Sequence, residues 1–92
     1  MALEIYTING KSKLLLGSLN YDNASIQDAL NYVQQQTGLQ IDVYGRTVLH
    51  ENHRLPLLQG LQKSKMPVSA DTLESLADFK FDSDNNLVLI GD

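Results

Sequence analysis

The sequence predicts a small α+β domain, one sheet with two helices packed on it, in the order ββ-α-β-(β)-α-ββ. Three observations predict it. Residues 3–17 alternate in polarity around an Asn-Gly pair. Residues 25–43 change from a helical to a strand period at one glycine. Residues 87–90 are apolar on both faces, as an inner strand is. At 92 residues the chain is one domain, spanning 1–92. A chain this short buries only about 60–65% of its unfolded surface. With 42% apolar residues it can build one core and is too apolar to be disordered.

The first element is a hairpin. In "LEIYTINGKSKLLLGSL", Leu3, Ile5 and Thr7 point one way and Glu4, Tyr6 and Ile8 the other. Asn9-Gly10 can supply a two-residue turn between strands near 3–8 and 11–17. Gly17 is expected to end or kink the second strand. The first helix follows. Ser25 is read as its N-cap, with Asp28 completing a capping-box-like pair. Ile26, Ala29, Leu30 and Val33 form one apolar stripe. Gly38 fits the left-handed stop position. Leu39, Ile41 and Val43 then alternate with polar residues, which predicts a half-buried strand directly after the helix.

Residues 45–54 read as a loop with a short strand near 47–49. "RLPLLQGL" reads as an edge strand, because Pro56 would be confined to an edge. "QKSKMPVS" reads as a linker-like turn. A second helix is expected from Asp71, capped with Glu74, with Leu73, Leu76 and Ala77 as its stripe. The chain closes as strand, turn, strand: Phe79 and Phe81 on one face, turn residues from Asp82 to Asn86, and an inner strand at Leu87–Ile90.

Charge and composition exclude several functions. Net charge is −4. Residues 1–70 carry +1 and residues 71–92 carry −5. An acidic last quarter argues against nucleic-acid binding, which needs clustered cations. There are no cysteines, so no disulfides, thiolate metal sites or thiol nucleophiles. No apolar run approaches the ~18 residues of a membrane span. The first thirty residues also lack the apolar middle of a signal peptide.

Candidate chemistry is sparse. "HENH" sets His50 and His53 three apart, as two metal ligands on a helix face could be, but no third ligand is evident. A polar loop with two histidines is the favoured reading. "DSDNN" from Asp82 begins like a calcium loop, yet Leu87 stands where that loop needs glycine. No nucleophile elbow or phosphate loop is present. The "KSK" triplets at Lys11–Lys13 and Lys63–Lys65 read as solvated surface rather than a basic patch. Tyr6, Tyr21, Tyr32 and Tyr44 read as core-edge or interface contacts. The expectation is a non-enzyme with no cofactor and no metal.

"NASIQDALNYVQQQTGLQIDV" resembles the short N-terminal domain of bacterial secretins and TonB-dependent outer-membrane transducers. Ile26, Ala29, Leu30, Val33, Gln36, Thr37, Gly38, Leu39, Ile41 and Val43 carry the resemblance. It continues through "RLPLLQG" and "VSADTLESLADFKFDSDNNLVLI". It implies a non-catalytic protein–protein interaction module of the periplasm or cell envelope, acting in secretion, pilus assembly or envelope signalling. That location would require a leader removed ahead of Met1; otherwise the protein is expected in the cytoplasm. The chain is also similar to a ubiquitin-like β-grasp domain, which implies a cytoplasmic binding module with its first and last strands side by side and parallel. The partner surface expected from either is the polar helix face, Gln27, Asn31, Gln34 and Gln35, with an edge strand at Arg54, Leu55, Leu57 and Leu58.

Overall fold

The computed structural model describes residues 2–63, 68–82 and 84–91. They form the expected α+β class: four antiparallel strands in one sheet, covered on one side by three helices. The strands are β1 (Ala2–Asn9), β2 (Ser12–Asn20), β3 (Arg46–Leu49) and β4 (Asn85–Ile90). The helices are α1 (Ala24–Thr37), α2 (Glu51–Lys63) and α3 (Ala70–Asp78). Strand order is β2-β1-β4-β3, so β4 is indeed an inner strand.

The hairpin turn lies one residue later than expected. Asn9 pairs with Ser12, and Gly10 takes the positive φ (+59°) required at the first turn position of a type II′ hairpin. Gly17 kinks β2 without ending it. Ile5 pairs with Gly17 but Tyr6 pairs with Leu15, leaving Leu16 as the extra residue of a bulge. The Thr72 hydroxyl of α3 donates to the Leu16 carbonyl (3.0 Å). Bulge and hydroxyl together blunt the middle of this edge strand. A Cβ on Gly17 would lie 2.4 Å from Thr72 Oγ1 and 2.7 Å from its Cγ2. Gly17→Ala should therefore cost about 1–3 kcal/mol in urea denaturation. Thr72→Ala removes the two closest atoms. The double variant should be more stable than the sum of single effects predicts by about 1 kcal/mol or more; strict additivity would mean the contact is relieved elsewhere.

The helix caps sit two residues earlier than the sequence suggested. Asn23, not Ser25, caps α1, its side chain accepting from the Ser25 N–H (2.8 Å). Ser69, not Asp71, caps α3 and accepts from the Asp71 N–H (3.2 Å). In both cases the polar residue read as the cap is the one whose N–H the true cap receives. The α1 stripe is as expected: Ile26, Ala29, Leu30 and Val33 are all buried. Gly38 ends the helix at φ +78°. On α3, Leu76 is buried and Leu73 half-buried, but Ala77 is exposed and Thr72 is buried in its stead.

Three predicted strands are absent. Residues 39–43 alternate in burial as expected, Leu39, Ile41 and Val43 packing on the core. Their backbone joins no ladder: the Asp42 N–H donates to Thr47 Oγ1 (2.8 Å) and the Tyr44 N–H to Asp42 Oδ1 (3.0 Å). The place beside β4 belongs to β3, at the short strand foreseen near 47–49. The predicted edge strand around Pro56 is the middle of α2. Pro56 lies in its second turn, where the N–H it lacks would have reached Asn52. The strand predicted at Phe79–Phe81 is an irregular segment. The two rings stack edge-on, centroids 4.7 Å apart, and Arg54 clamps them, bonding the Phe79 carbonyl and lying 5.3 Å over Phe81. The turn chemistry after it is real: Asp82 accepts from the N–H groups of Asp84 (2.8 Å) and Asn85 (2.9 Å) and launches β4. Ser64–Pro67, the middle of the predicted linker, and with them Lys65 of the second KSK triplet, lie outside the described residues, as does Ser83 of "DSDNN".

A candidate interaction face

The sheet has two unlike sides. On one, Leu3, Ile5, Leu87, Leu89 and Leu49 meet the helices. The other side is set by the pairing register. Its middle row crosses all four strands: Leu15 opposite Tyr6, Tyr6 opposite Val88, Val88 opposite Val48. The rows on either side are Ser18, Glu4, Ile90 and Arg46, and Lys13, Ile8 and Asn86. Six of these eleven side chains are apolar, and among the described residues no helix packs over them. Val88 at the centre has no exposure, while Leu15 and Val48 at the ends are 49% and 38% exposed.

The polar groups of this face are arranged around the apolar ones. Lys13 Nζ sits 4.1 Å above the Tyr6 ring. The Tyr6 hydroxyl donates to Glu4 Oε2 (3.1 Å). Desolvation, then that hydrogen bond and the Glu4 charge, push the Tyr6 pKa above its ordinary value. Arg46 stands on the far edge strand and is exposed. Where the hairpin passes the end of α3, a groove of about 660 Å³ opens on the helix side. Thr7, Leu14, Leu16 and Phe79 line it, with Lys13, Asp78 and Lys80 as its charged residues. Leu14 is 64% exposed there, so β2 offers a leucine to each side.

Of the partner surface expected from the sequence, the helix half is brought together, Gln27, Asn31 and Gln34 lining one small cavity with Tyr21, Ile41 and Val43, while the edge-strand half is not. Asn31, Gln34 and Gln35 are exposed on α1. The Gln27 amide is occupied, donating to the Tyr21 carbonyl (2.9 Å). Arg54 is engaged within the molecule, with Glu51 at 3.8 Å besides its phenylalanine contacts. Leu57 and Leu58 are buried core residues at 1% and 7% exposure and cannot meet a partner, because Arg54–Leu58 is a helix turned inward rather than a sheet edge. Leu55 alone of these leucines faces out, at 61%. The apolar outer row, with Tyr6, Ile8, Leu15, Val48, Val88 and Ile90, was not singled out as a site. Its signal was the apolar content of both faces of Leu87–Ile90 and of the Tyr6–Ile8 side of β1, in a sheet expected to be covered on one side.

"HENH" is a helix start. The His50 N–H donates to His53 Nδ1 (2.9 Å) and the His53 N–H to the His50 carbonyl (3.0 Å). The imidazole plays the part Glu or Gln plays at the third position of a capping box. Among the described residues no cluster of three or more His, Asp or Glu could hold a metal. His53 is buried, and desolvation, then the neighbouring His50, lower its pKa below 6.5. A depressed histidine contributes stability that is complete above the unfolded pKa and lost as pH falls through the folded one. Unfolding free energy should therefore fall as pH drops below about 6.5. His53→Gln, which can still accept from His50, should show a shallower fall over the same range, measured by urea titration at each pH. Equal slopes would remove His53 from the account.

The geometry defines an α+β protein with one sheet face against the helices and an opposite face that is apolar along its middle row. The chain matches no family model, no curated protein and no solved structure. The first and last strands are adjacent but antiparallel, which corrects the parallel pair expected of a β-grasp. The helix expected after residue 70 is present, and the hairpin expected across 79–90 is not. Among the described residues no helix is long and apolar enough to cross a membrane.

Proposed function

We propose that this protein is a non-catalytic binding module that presents its outer sheet face to another protein. The observation that carries the reading is the apolar row Leu15–Tyr6–Val88–Val48, which crosses four strands on the side away from the helices and is exposed at both ends. An antiparallel sheet with one wet face ordinarily alternates apolar-in and polar-out. Here the outward positions are apolar at the centre and polar at the margin, the anatomy of an interface. Leu15 and Val48 are exposed, Tyr6, Ile8 and Ile90 are half-exposed, and apolar surface clustered in this way marks interaction sites. The groove beside α3 lends no competing support for catalysis, since its charged groups are two lysines and one exposed aspartate.

A role in secretion, pilus assembly or envelope signalling rests on the resemblance alone, which is carried chiefly by residues 23–43 and continues through the later segments. That helix and its glycine stop are in place, and the alternation after it is expressed as packing rather than as a strand.

The reading is tested by placing a photo-crosslinking residue at Leu15, Val48 or Gln35 in the host cell. The two face positions should trap the same protein species, and Gln35 should not. Changing Val48→Lys should abolish trapping at position 15 with the fold retained by circular dichroism. Trapping at Gln35 alone, or none at either face position, would overturn it.

A further inference from the structure

Resting on that reading, we infer that the occupant of the outer face is an amphipathic helix with an apolar stripe and acidic flanks, lying along the two central strands. The geometry favours a helix. Half-exposed apolar side chains, Tyr6 and Ile8 on β1 and Ile90 on β4, surround the fully buried Val88 and make a strip two strands wide. Two strands about 4.8 Å apart, with their side chains, match a helix of about 10 Å diameter. Leu15 on β2 and Val48 on β3 extend the strip on either side and would contact the flanks of a helix seated on it.

The charges favour acidic flanks. The outer strands each carry one cation on this face, Lys13 on β2 and Arg46 on β3. They stand three strand spacings apart across the sheet, roughly 14 Å, and two rows apart along it, at diagonally opposite corners of the strip, with the Lys13 ammonium leaning over Tyr6. The face's single anion, Glu4, is already paired with the Tyr6 hydroxyl. The face therefore carries +1 while the remainder of the chain carries −5. A partner approaching with acidic flanks meets a cation at two opposite corners of its apolar stripe; one with basic flanks meets two like charges and the single carboxylate of Glu4.

A second copy of the chain fits less well. A face of three rows and four strands covers roughly 400 Å², about 800 Å² for two, under the ~1,200 Å² of stable interfaces. Two copies would also set the lysine and arginine of each against a face already positive.

The test uses the full chain, labelled with ¹⁵N, and two synthetic helical peptides about four turns long. Both carry leucine at i, i+3, i+4 and i+7; one has glutamate and the other lysine at the remaining positions. The glutamate peptide should shift the amides of Tyr6, Val48 and Val88. Lys13→Glu and Arg46→Glu should each weaken it about three- to tenfold, with core resonances unmoved. Raising salt should weaken it further. Equal or tighter binding of the lysine peptide overturns the inference. So does binding only to phosphatidylglycerol vesicles, or a concentration-dependent dimer whose formation shifts the same amides. Protein crosslinks at Leu15 and Val48 without glutamate-peptide binding would leave the module reading intact and remove this partner chemistry.

Discussion

Leu57→Ala should lower the unfolding free energy by about 3 kcal/mol, and Leu55→Ala by less than about 0.5 kcal/mol. The two residues are two positions apart on α2, which turns them to opposite sides of the helix. Leu57 is 1% exposed and belongs to the core cluster; Leu55 is 61% exposed. Truncating Leu57 removes three buried carbons and leaves a cavity that packed helices close only in part. A domain of this size has about 5–10 kcal/mol in total, so this loss is a large fraction and should appear as a clear drop in the urea midpoint at unchanged m. Equal costs at 55 and 57 would mean that Arg54–Leu58 is not helical, and that the edge-strand reading of the sequence was right after all.

That pair also shows why α2 was hidden in the sequence. Leu55, Pro56 and Leu57 give a period of two with a proline, the pattern of an edge strand. The competing pattern, His53, Leu57 and Leu61 with Leu58 beside them, is helical. It was masked because one of its members is a histidine and Gly60 interrupts it. Proline is costly in a helix interior, but the second turn has few preceding carbonyls to disturb. The 39–43 strand failed for a different reason. Alternation reports which side chains are buried, and Leu39, Ile41 and Val43 are indeed packed on the core. It does not report whether the backbone finds a partner strand, and Thr47 Oγ1 took one of the N–H groups a ladder would need.

The elements with redundant signals were legible. α1 has a stripe, polar flank and glycine stop that agree, and all four stripe residues are buried. The caps were displaced by two because several polar residues precede each helix, and only geometry decides which oxygen reaches the first free N–H groups. The outer sheet face was half legible. That Glu4, Tyr6 and Ile8 share a face follows from alternation alone. That Leu15 and Val48 join them depends on pairing register, and the bulge at Leu16 resets that register between Ile5 and Tyr6. Without the bulge, the Leu14 side rather than the Leu15 side of β2 would continue the row.

Gly60→Val is expected to be among the most damaging single changes in α2, at about 2–3 kcal/mol, read as a fall in the urea midpoint. A Cβ at this position would lie 3.0 Å from the Ala29 carbonyl oxygen, 3.1 Å from its Cα and 3.2 Å from its Cβ. Glycine on α2 against buried alanine on α1 is what lets the two helices come this close. Replacing glycine by alanine gains about 1 kcal/mol of helix propensity and asks the helices to part by a few tenths of an ångström. The two effects oppose, so Gly60→Ala should lie within about 1 kcal/mol of the parent. Valine adds two γ carbons and a stiff χ1, and the propensity gain shrinks as the overlap grows. The contrast with Gly17 sharpens the test. There the nearest atoms belong to the Thr72 side chain, and truncating it should recover part of the lost stability. Here two of the three nearest atoms belong to the Ala29 backbone, which no substitution removes. Gly60→Val combined with Ala29→Gly should therefore recover little, because it deletes only the farthest of the three contacts and adds a glycine to α1 at a cost of about 1 kcal/mol. Recovery to the parent midpoint would show instead that the crossing is set by side chains and that α1 and α2 can slide past each other.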